Sequence, residues 1–528
     1  MIETTLSSRL KLRRDLFSRA ALTSDTGVLV MIALASFVGH MLVSGNYGYF
    51  RDELYYMAAG RHLAVGYVEY PSMIALLAAL MNVIAGDALV AIHLIPALAG
   101  AALIVITGLM ARELGGGRYA QWLAALGTTF ALVFMGTASI FSMDVLDELW
   151  WAAGAYVLIR LIKEERPRLW LVFGLVCGLG LLTKLTILAF GLGIVVGVLL
   201  TPRRADFRTR WPWLGGLIAC AFLAPYIVWN AANNWATWEF WHHYGGISDG
   251  SPISFLANQL FLLNPFTIPL WVAGLVFFLR RPQGKPYRAL GWMFVTLFLL
   301  FLAISFKSYF LAPAYPPLFA GGAIVFEQAA QRKRWVKPVY VPVLVLSGLL
   351  LAPLAMPVLP PSTFIAGYGW LSGAGGVNPG QNSQGRFPQY LGDRFGWDTM
   401  TATVARVYDA LPADQRAQAC ILTTDYGEAG ALQFLGTKDH LPPVISGHNN
   451  YFLWGQGSCT GNVLIVVDET QNDSLDAHNL GQSYASVRLA ATNDCQYCQP
   501  EEFQASIFVC TQPLGSLQGK WQALKHYN

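Results

Sequence analysis

Over its first two thirds the chain reads as long apolar runs cut by short polar breaks. A helix needs about 20 mostly apolar residues to cross a bilayer. Eleven runs approach or reach that length: 27–45, 89–110, 119–138, 144–162, 169–183, 184–200, 212–230, 259–279, 289–305, 310–328 and 338–358. Lys184 cuts one continuous apolar stretch into two of these, and the run at 310–328 begins among prolines. Beyond residue 358 the pattern changes. A Gly/Pro/Ser/Asn-rich linker covers 367–386. A helix follows around Met400–Leu411, with strand-like runs at Ala419–Thr424, Val463–Val467 and Ser506–Cys510. The predicted architecture is an α-helical polytopic membrane region of about eleven transmembrane helices, 1–358, followed by a small α/β domain, 359–528.

Composition sharpens this picture. Of 528 residues, 55% are hydrophobic and 12% charged, against about 25% charged in ordinary globular chains. So few charges cannot cover a soluble surface of this size. A soluble enzyme, a disordered chain, a collagen-like fibre and a nucleic-acid binder are excluded. The charge is also divided. Residues 1–358 hold 27 Lys+Arg and 17 Asp+Glu, a net of +10; residues 359–528 hold 8 and 14, a net of −6. With the N-terminus in the cytoplasm, 23 of those 27 basic residues fall on the inner side. They run from Arg9, Lys11, Arg13, Arg14 and Arg19 through Arg203, Arg204, Arg208 and Arg210 to Arg332, Lys333, Arg334 and Lys337. Cytoplasmic loops carry such an excess. After an odd number of crossings the C-terminal domain lies outside the cytoplasm. The basic N-terminal segment precedes a run long enough to span, without a clear cleavage site.

Cysteines agree with an outer domain. Cys177 and Cys220 sit in predicted spans, where packing explains them, while Cys420, Cys459, Cys495, Cys498 and Cys510 follow residue 358. An oxidising compartment predicts one or two disulfides among these five, with an odd thiol left over. Cys495 and Cys498 form a CxxC pair, but no second pair or nearby His cluster points to zinc.

Charges beside a bilayer are costly and need a reason. The predicted outer rim gathers several. The first outer loop reads Tyr47-Gly-Tyr-Phe-Arg-Asp-Glu-Leu-Tyr-Tyr56, then Gly60-Arg-His-Leu63, then Gly66-Tyr-Val-Glu-Tyr-Pro71. It has room for one or two short interfacial helices. The next outer turn reads Ser142-Met-Asp-Val-Leu-Asp-Glu148. Asp144 and Asp147, three apart, share a helical face. Their repulsion raises a pKa or calls for a cation between them. Lys184, His242, His243 and Lys307-Ser-Tyr309 complete the rim. This set points to transfer from a phosphate-linked donor: a carboxylate takes a proton from the acceptor, lysine or arginine stabilises the leaving phosphate, and aromatics line a groove. Bland readings stand beside it. An Arg-Asp-Glu cluster can simply anchor a loop; His242 and His243, near Trp238 and Trp241, can be interfacial anchors; Lys184 and Lys307 can snorkel to lipid phosphates.

At these residues the chain resembles the GT-C glycosyltransferases. The nearest branch holds the protein O-mannosyltransferases and the bacterial aminoarabinose transferases of lipid A. The resemblance runs through Phe50-Arg-Asp-Glu-Leu-Tyr-Tyr56, Gly60-Arg-His-Leu63, Lys307-Ser-Tyr-Phe-Leu-Ala-Pro-Ala-Tyr-Pro316, Asp393-Arg-Phe-Gly-Trp397, Tyr426-Gly-Glu-Ala-Gly430 and Ile445-Ser-Gly-His-Asn-Asn-Tyr451. It implies a membrane enzyme that moves a sugar from a polyprenyl-phosphate donor to a lipid, glycan or protein acceptor on the outer face, with inversion and without a metal. On that reading Asp52 is the general base and Glu53 supports it. Asp144 and Asp147 match the second acidic motif. Arg61, Lys184 and Lys307 are candidates for the donor phosphate, and Tyr55, Glu69, Tyr70, His242, His243 and Tyr309 for the groove. One departure stands out. Aminoarabinose transferases carry a lysine before the proline that ends the first loop, and here Tyr70 takes that place. Two other classes compete: a lipid or solute transporter, which would need ionisable groups at mid-membrane, and a non-catalytic protein of envelope-glycan assembly.

Overall fold

The computed structural model describes residues 25–244, 248, 250–372, 386–468, 475–498 and 505–528. Arg9, Lys11, Arg13, Arg14, Arg19 and the centre of the 367–386 linker lie outside the described residues, and the start of that linker continues the helix Pro361–Ser372. Helix occupies all eleven predicted runs. Asp25–Val43, Met143–Glu164, Trp211–Ala232 and Arg288–Ala303 match their runs closely. Two breaks stand out. The run 119–138 divides at Phe130 and Ala131 into Arg118–Thr129 and Leu132–Thr137. The run 259–279 is part of a bent pair, Pro252–Leu262 and Pro265–Arg280, turned by 87°. Asn264, at the bend, sits at φ 67° and its side chain accepts the Phe266 N–H.

Among the described residues six helices are long and apolar enough to cross a membrane, or up to eight if each bent pair is one span. This is a multi-pass membrane protein. Met143–Glu164 is not in that set because it carries charge, yet its 22 residues extend about 33 Å. Its charges sit at its two ends, with Asp144, Asp147 and Glu148 at one and Arg160, Lys163 and Glu164 at the other. The helices pack around Trp151, Phe190, Phe277, Phe278 and Phe319, all fully buried. Gly174 and Gly215 let two helices meet backbone to backbone: a Cβ on Gly174 would lie 2.1 Å from the Gly215 carbonyl oxygen. Small residues serve such close approach where lipid gives no hydrophobic drive.

The first loop forms two short helices, Arg51–Arg61 and Met73–Ala85. The C-terminal region holds helix Trp397–Asp409 and one five-stranded sheet: β1 (Ala419–Thr423), β2 (Val444–Ser446), β3 (Val463–Asp468), β4 (Tyr484–Thr492) and β5 (Ser506–Pro513), in the order β2-β1-β3-β5-β4. β1 pairs in parallel with β2 and β3, with Leu422 opposite Ile445 and Ile421 opposite Ile465; β5 runs antiparallel to β3 and β4. β1 and β3 are buried along their whole length, as parallel strands covered on both faces must be. Cys420 and Cys459 are joined by a disulfide, while Cys495 and Cys510 remain thiols. One apolar cluster runs without a break from Leu54, Tyr55 and Ile74 of the first loop into Trp397, Ile421, Leu432 and Ile465. The sheet is therefore packed on the loop rather than tethered beside it.

Candidate active site

Helix Arg51–Arg61 begins with three charged residues that go three ways. Glu53 is completely buried. It closes its own helix by accepting the Phe50 N–H at 2.8 Å. Its other oxygen meets His93 Nε2 at 2.8 Å and accepts the Phe141 N–H at 2.7 Å. Burial alone would raise its pKa, but the charge and hydrogen bond of His93, with Arg394 and the Phe141 amide, bring it below the usual value. Glu53 thus ties the first loop to the segment that precedes Asp144. Asp52 faces the other way, with 29% of its side-chain surface open. Its Oδ1 accepts the Tyr426 hydroxyl at 2.8 Å and lies 3.7 Å from Arg51 Nε. Depth in the site pushes its carboxyl up; Arg51 and Tyr426 pull it down, and Asp425 and Asp144 push it up again.

The second acidic pair separates in the same manner. Ser142 caps helix Met143–Glu164, accepting the Asp144 N–H at 3.2 Å. Asp144 stays 29% open and forms an ion pair with Lys184. Asp147 is 3% exposed and accepts from Trp151 Nε1 at 3.1 Å and the Thr186 hydroxyl at 2.6 Å. The cation that a carboxylate pair calls for is therefore Lys184, and it serves Asp144. Lys184 lies in the break between helices Leu169–Leu181 and Ile187–Leu199, 4.5 Å from the Phe310 ring centre and 5.3 Å from that of Tyr309.

At the end of the first loop, Glu69 accepts from Tyr55 at 2.9 Å, from Asn450 at 3.2 Å and from Asn449. Burial pushes its carboxyl up to about 8, against the pull of these donors. Tyr70 is buried among Tyr55, Tyr56 and Tyr67, with ring centres 5.0–5.7 Å away. Where aminoarabinose transferases carry lysine, this chain packs an aromatic.

Other predicted residues are held elsewhere. Arg61 pairs with Asp87 at 2.6 Å and lies over the Phe434 ring at 4.1 Å. Lys307 is buried, with its ammonium 2.9 Å from the Tyr244 hydroxyl. His242 and His243 are exposed, and His242 stands edge-on to Trp238 at 4.7 Å. Among the described residues no hydrogen bond or ion pair links either histidine to Asp52.

The sequence reading left out what the C-terminal region brings. Asp393 reaches Arg51 at 3.8 Å, and Trp397 Nε1 donates to the Tyr49 carbonyl at 3.1 Å. Buried Arg394 donates to the Ser139 carbonyl at 2.9 Å. Tyr426 meets Asp52, and Asn449 and Asn450 meet Glu69. The motifs around Asp393, Tyr426 and His448 had marked these stretches, but nothing in their spacing says which distant loop they touch. Among the described residues no group of three or more His, Cys, Asp or Glu side chains is placed to hold a metal.

Residues 69–229 match the family described as dolichyl-phosphate-mannose-protein mannosyltransferase. The chain is similar in structure to ArnT from Cupriavidus metallidurans bound to undecaprenyl phosphate, with a TM-score of 0.62 at 16% identity over 92% of this chain and 98% of that one. To the same protein in the apo state the TM-score is 0.60 at 15% identity, over 91% and 97%. The two share a fold along nearly their whole length. No protein of curated function matches the sequence.

Proposed function

We propose that this chain, a glycosyltransferase of the GT-C superfamily by its matched segment and its fold, moves a sugar from a polyprenyl-phosphate donor to an acceptor at the outer face of the cytoplasmic membrane. The observation that carries the reading is one rim holding an open carboxylate, Asp52, and a second, Asp144, paired with Lys184 beside Phe310 and Tyr309. The undecaprenyl phosphate bound by the ArnT relative supports the donor class. Asp52 takes the proton of the acceptor's hydroxyl or amine. The freed electron pair forms a bond to the anomeric carbon, and the bond from that carbon to the phosphate oxygen breaks. The products are an inverted glycoside and polyprenyl phosphate. Lys184 stabilises the negative charge that gathers on the phosphate. Asp144 holds Lys184 in place, Glu53 holds the two loops together, and Glu69 with Tyr55 shapes the groove.

The test uses membranes of the producing cells, which carry the acceptor, and four radiolabelled undecaprenyl-phosphate donors carrying mannose, glucose, galactose or aminoarabinose. Wild type transfers label from at least one. Asp52→Asn loses transfer by about a thousandfold, in the range of combined acid–base and orientation effects, while keeping its melting temperature. Undiminished transfer by Asp52→Asn overturns Asp52 as the base.

A further inference from the structure

We infer that Tyr426, carried by the C-terminal domain, is a positioning residue for the Asp52 carboxylate, so that the active site is complete only with that domain docked. The inference rests on the reading of Asp52 as the base, 374 residues away along the chain.

Tyr426 is the first residue of helix Tyr426–Leu435. Three contacts fix its side chain. The hydroxyl donates to Asp52 Oδ1 at 2.8 Å. The ring stacks on Tyr55 with centres 4.5 Å apart and planes 23° from parallel. The Arg51 guanidinium carbon lies 5.4 Å from the ring centre. Its backbone is held as firmly. Asp425 caps the helix by accepting the Gly427 N–H at 2.5 Å, and Glu428 closes the cap by accepting the Asp425 N–H at 3.1 Å. The Tyr426 N–H points to His448 Nδ1 at 3.3 Å, and the same nitrogen lies 3.3 Å from Asp425 Oδ2. His448 stacks on His526, whose Nε2 donates to the Thr424 carbonyl at 2.9 Å. Such a frame is far more than a surface tyrosine needs to pack.

The chemistry of the bond is specific. A carboxylate offers two oxygens. With Oδ1 held by a phenol, Oδ2 is left for the acceptor's proton, in a fixed direction. A hydrogen bond donated to the ionised form also favours that form, so Tyr426 keeps Asp52 ready as a base. The groups that act on Asp52 come from every side: Arg51 and Tyr56 on its own helix, Tyr426 and Asp425 from the C-terminal helix, Asp144 from the second loop, and Glu69 and Tyr70 from the end of the first. Arg51 and Tyr426 favour the ionised carboxylate, while burial, Asp425 and Asp144 oppose it. Without the Tyr426 hydroxyl, Arg51 loses its partner in holding the carboxylate ionised against Asp425 and Asp144.

Tyr426→Phe keeps the ring and removes the donor. Two measurements read it. Infrared difference titration of the full-length protein follows the Asp52 carboxylate band, recognised by its loss in Asp52→Asn. The second is the pH profile of transfer from the undecaprenyl-phosphate sugar that wild type uses. In Tyr426→Phe the Asp52 titration and the acid limb of transfer both move up by about one pH unit. Replacing Tyr426 by 3-fluorotyrosine, a stronger donor of nearly the same size, moves both down and guards against a folding defect in the Phe variant. An Asp52 titration unchanged in both variants overturns the inference, whatever the activity does. A shifted titration with an active Asp52→Asn protein overturns instead the reading of Asp52 as the base.

Discussion

Adjacent carboxylates on one turn of helix Arg51–Arg61 receive opposite surroundings, and that contrast gives a test. Glu53, buried with three donors, is of the kind whose removal strands its partners, at about 3 kcal/mol or more. Glu53→Gln should lower the unfolding temperature in detergent clearly, whereas Asp52→Asn should leave it alone and lose transfer. The second loop repeats the pattern. Asp147→Asn should cost stability, since two hydrogen bonds end on Asp147, and Asp144→Asn should cost transfer by releasing Lys184. Glu69 adds a pH effect. Burial raises its folded pKa from 4.5 to about 8. The folded chain therefore keeps a proton that the unfolded chain releases near pH 4.5. Its contribution is whole below about pH 4.5 and is lost as pH rises through about 8. Glu69→Gln should shrink the fall in melting temperature between pH 5 and pH 9; an unchanged fall would show that Glu69 is not the group responsible.

Among the elements, helix Tyr426–Leu435 lies on helix Arg51–Arg61 because two glycines let it. A Cβ on Gly430 would come within 2.8 Å of Leu54 Cβ and 3.0 Å of its backbone carbon, and one on Gly427 within 2.3 Å of Arg51 Cγ. Backbone cannot step aside as a side-chain tip can. Gly430→Ala should therefore destabilise by about 1–3 kcal/mol and depress transfer, read by thermal unfolding and the donor assay. Gly216→Ala, where nothing lies within 4 Å, is the neutral control. The same elements show what a sequence can disclose. Helices of the membrane region were legible because 20 apolar residues have few other uses. β1, β3 and β5 were legible as buried branched runs. β2 is three residues long, and β4 is an edge strand of small and polar residues with mostly open faces, so neither stands out. Asp52 and Lys184 could be named from charge beside a bilayer. The roles of Glu53 and Asp147 as buried ties, and the approach of Tyr426 and Asn450 to the first loop, depend on tertiary contacts that no local pattern encodes.

For the whole molecule, the decisive feature is that the carboxyl ends of β1 and β2 open onto the first loop. Thr424, Asp425 and Tyr426 follow β1, and His448, Asn449 and Asn450 follow β2. The edge where α/β sheets gather ligands here meets Asp52 and Glu69. That contact constrains topology. The first loop and the C-terminal sheet must lie on one side of the membrane, so the chain crosses an even number of times between them. With Asp25–Val43 crossing before the loop, the total is odd. Six or eight crossings, counted from length and composition alone, leave the two parts on opposite sides. Eleven crossings, as we propose, would leave ten between them and satisfy the contact, with charged Met143–Glu164 and short Leu169–Leu181 then among the helices that cross. On the topology we propose, positive charge at Arg203, Arg204, Arg208 and Arg210 marks the other, cytoplasmic face. Single cysteines in a background with Cys220 and Cys498 replaced by serine test this in intact cells. A membrane-impermeant maleimide should label His62→Cys and Gln482→Cys alike and spare Arg204→Cys until the membrane is opened. Labelling of His62→Cys without Gln482→Cys would separate the loop from the sheet and, with them, Tyr426 from Asp52.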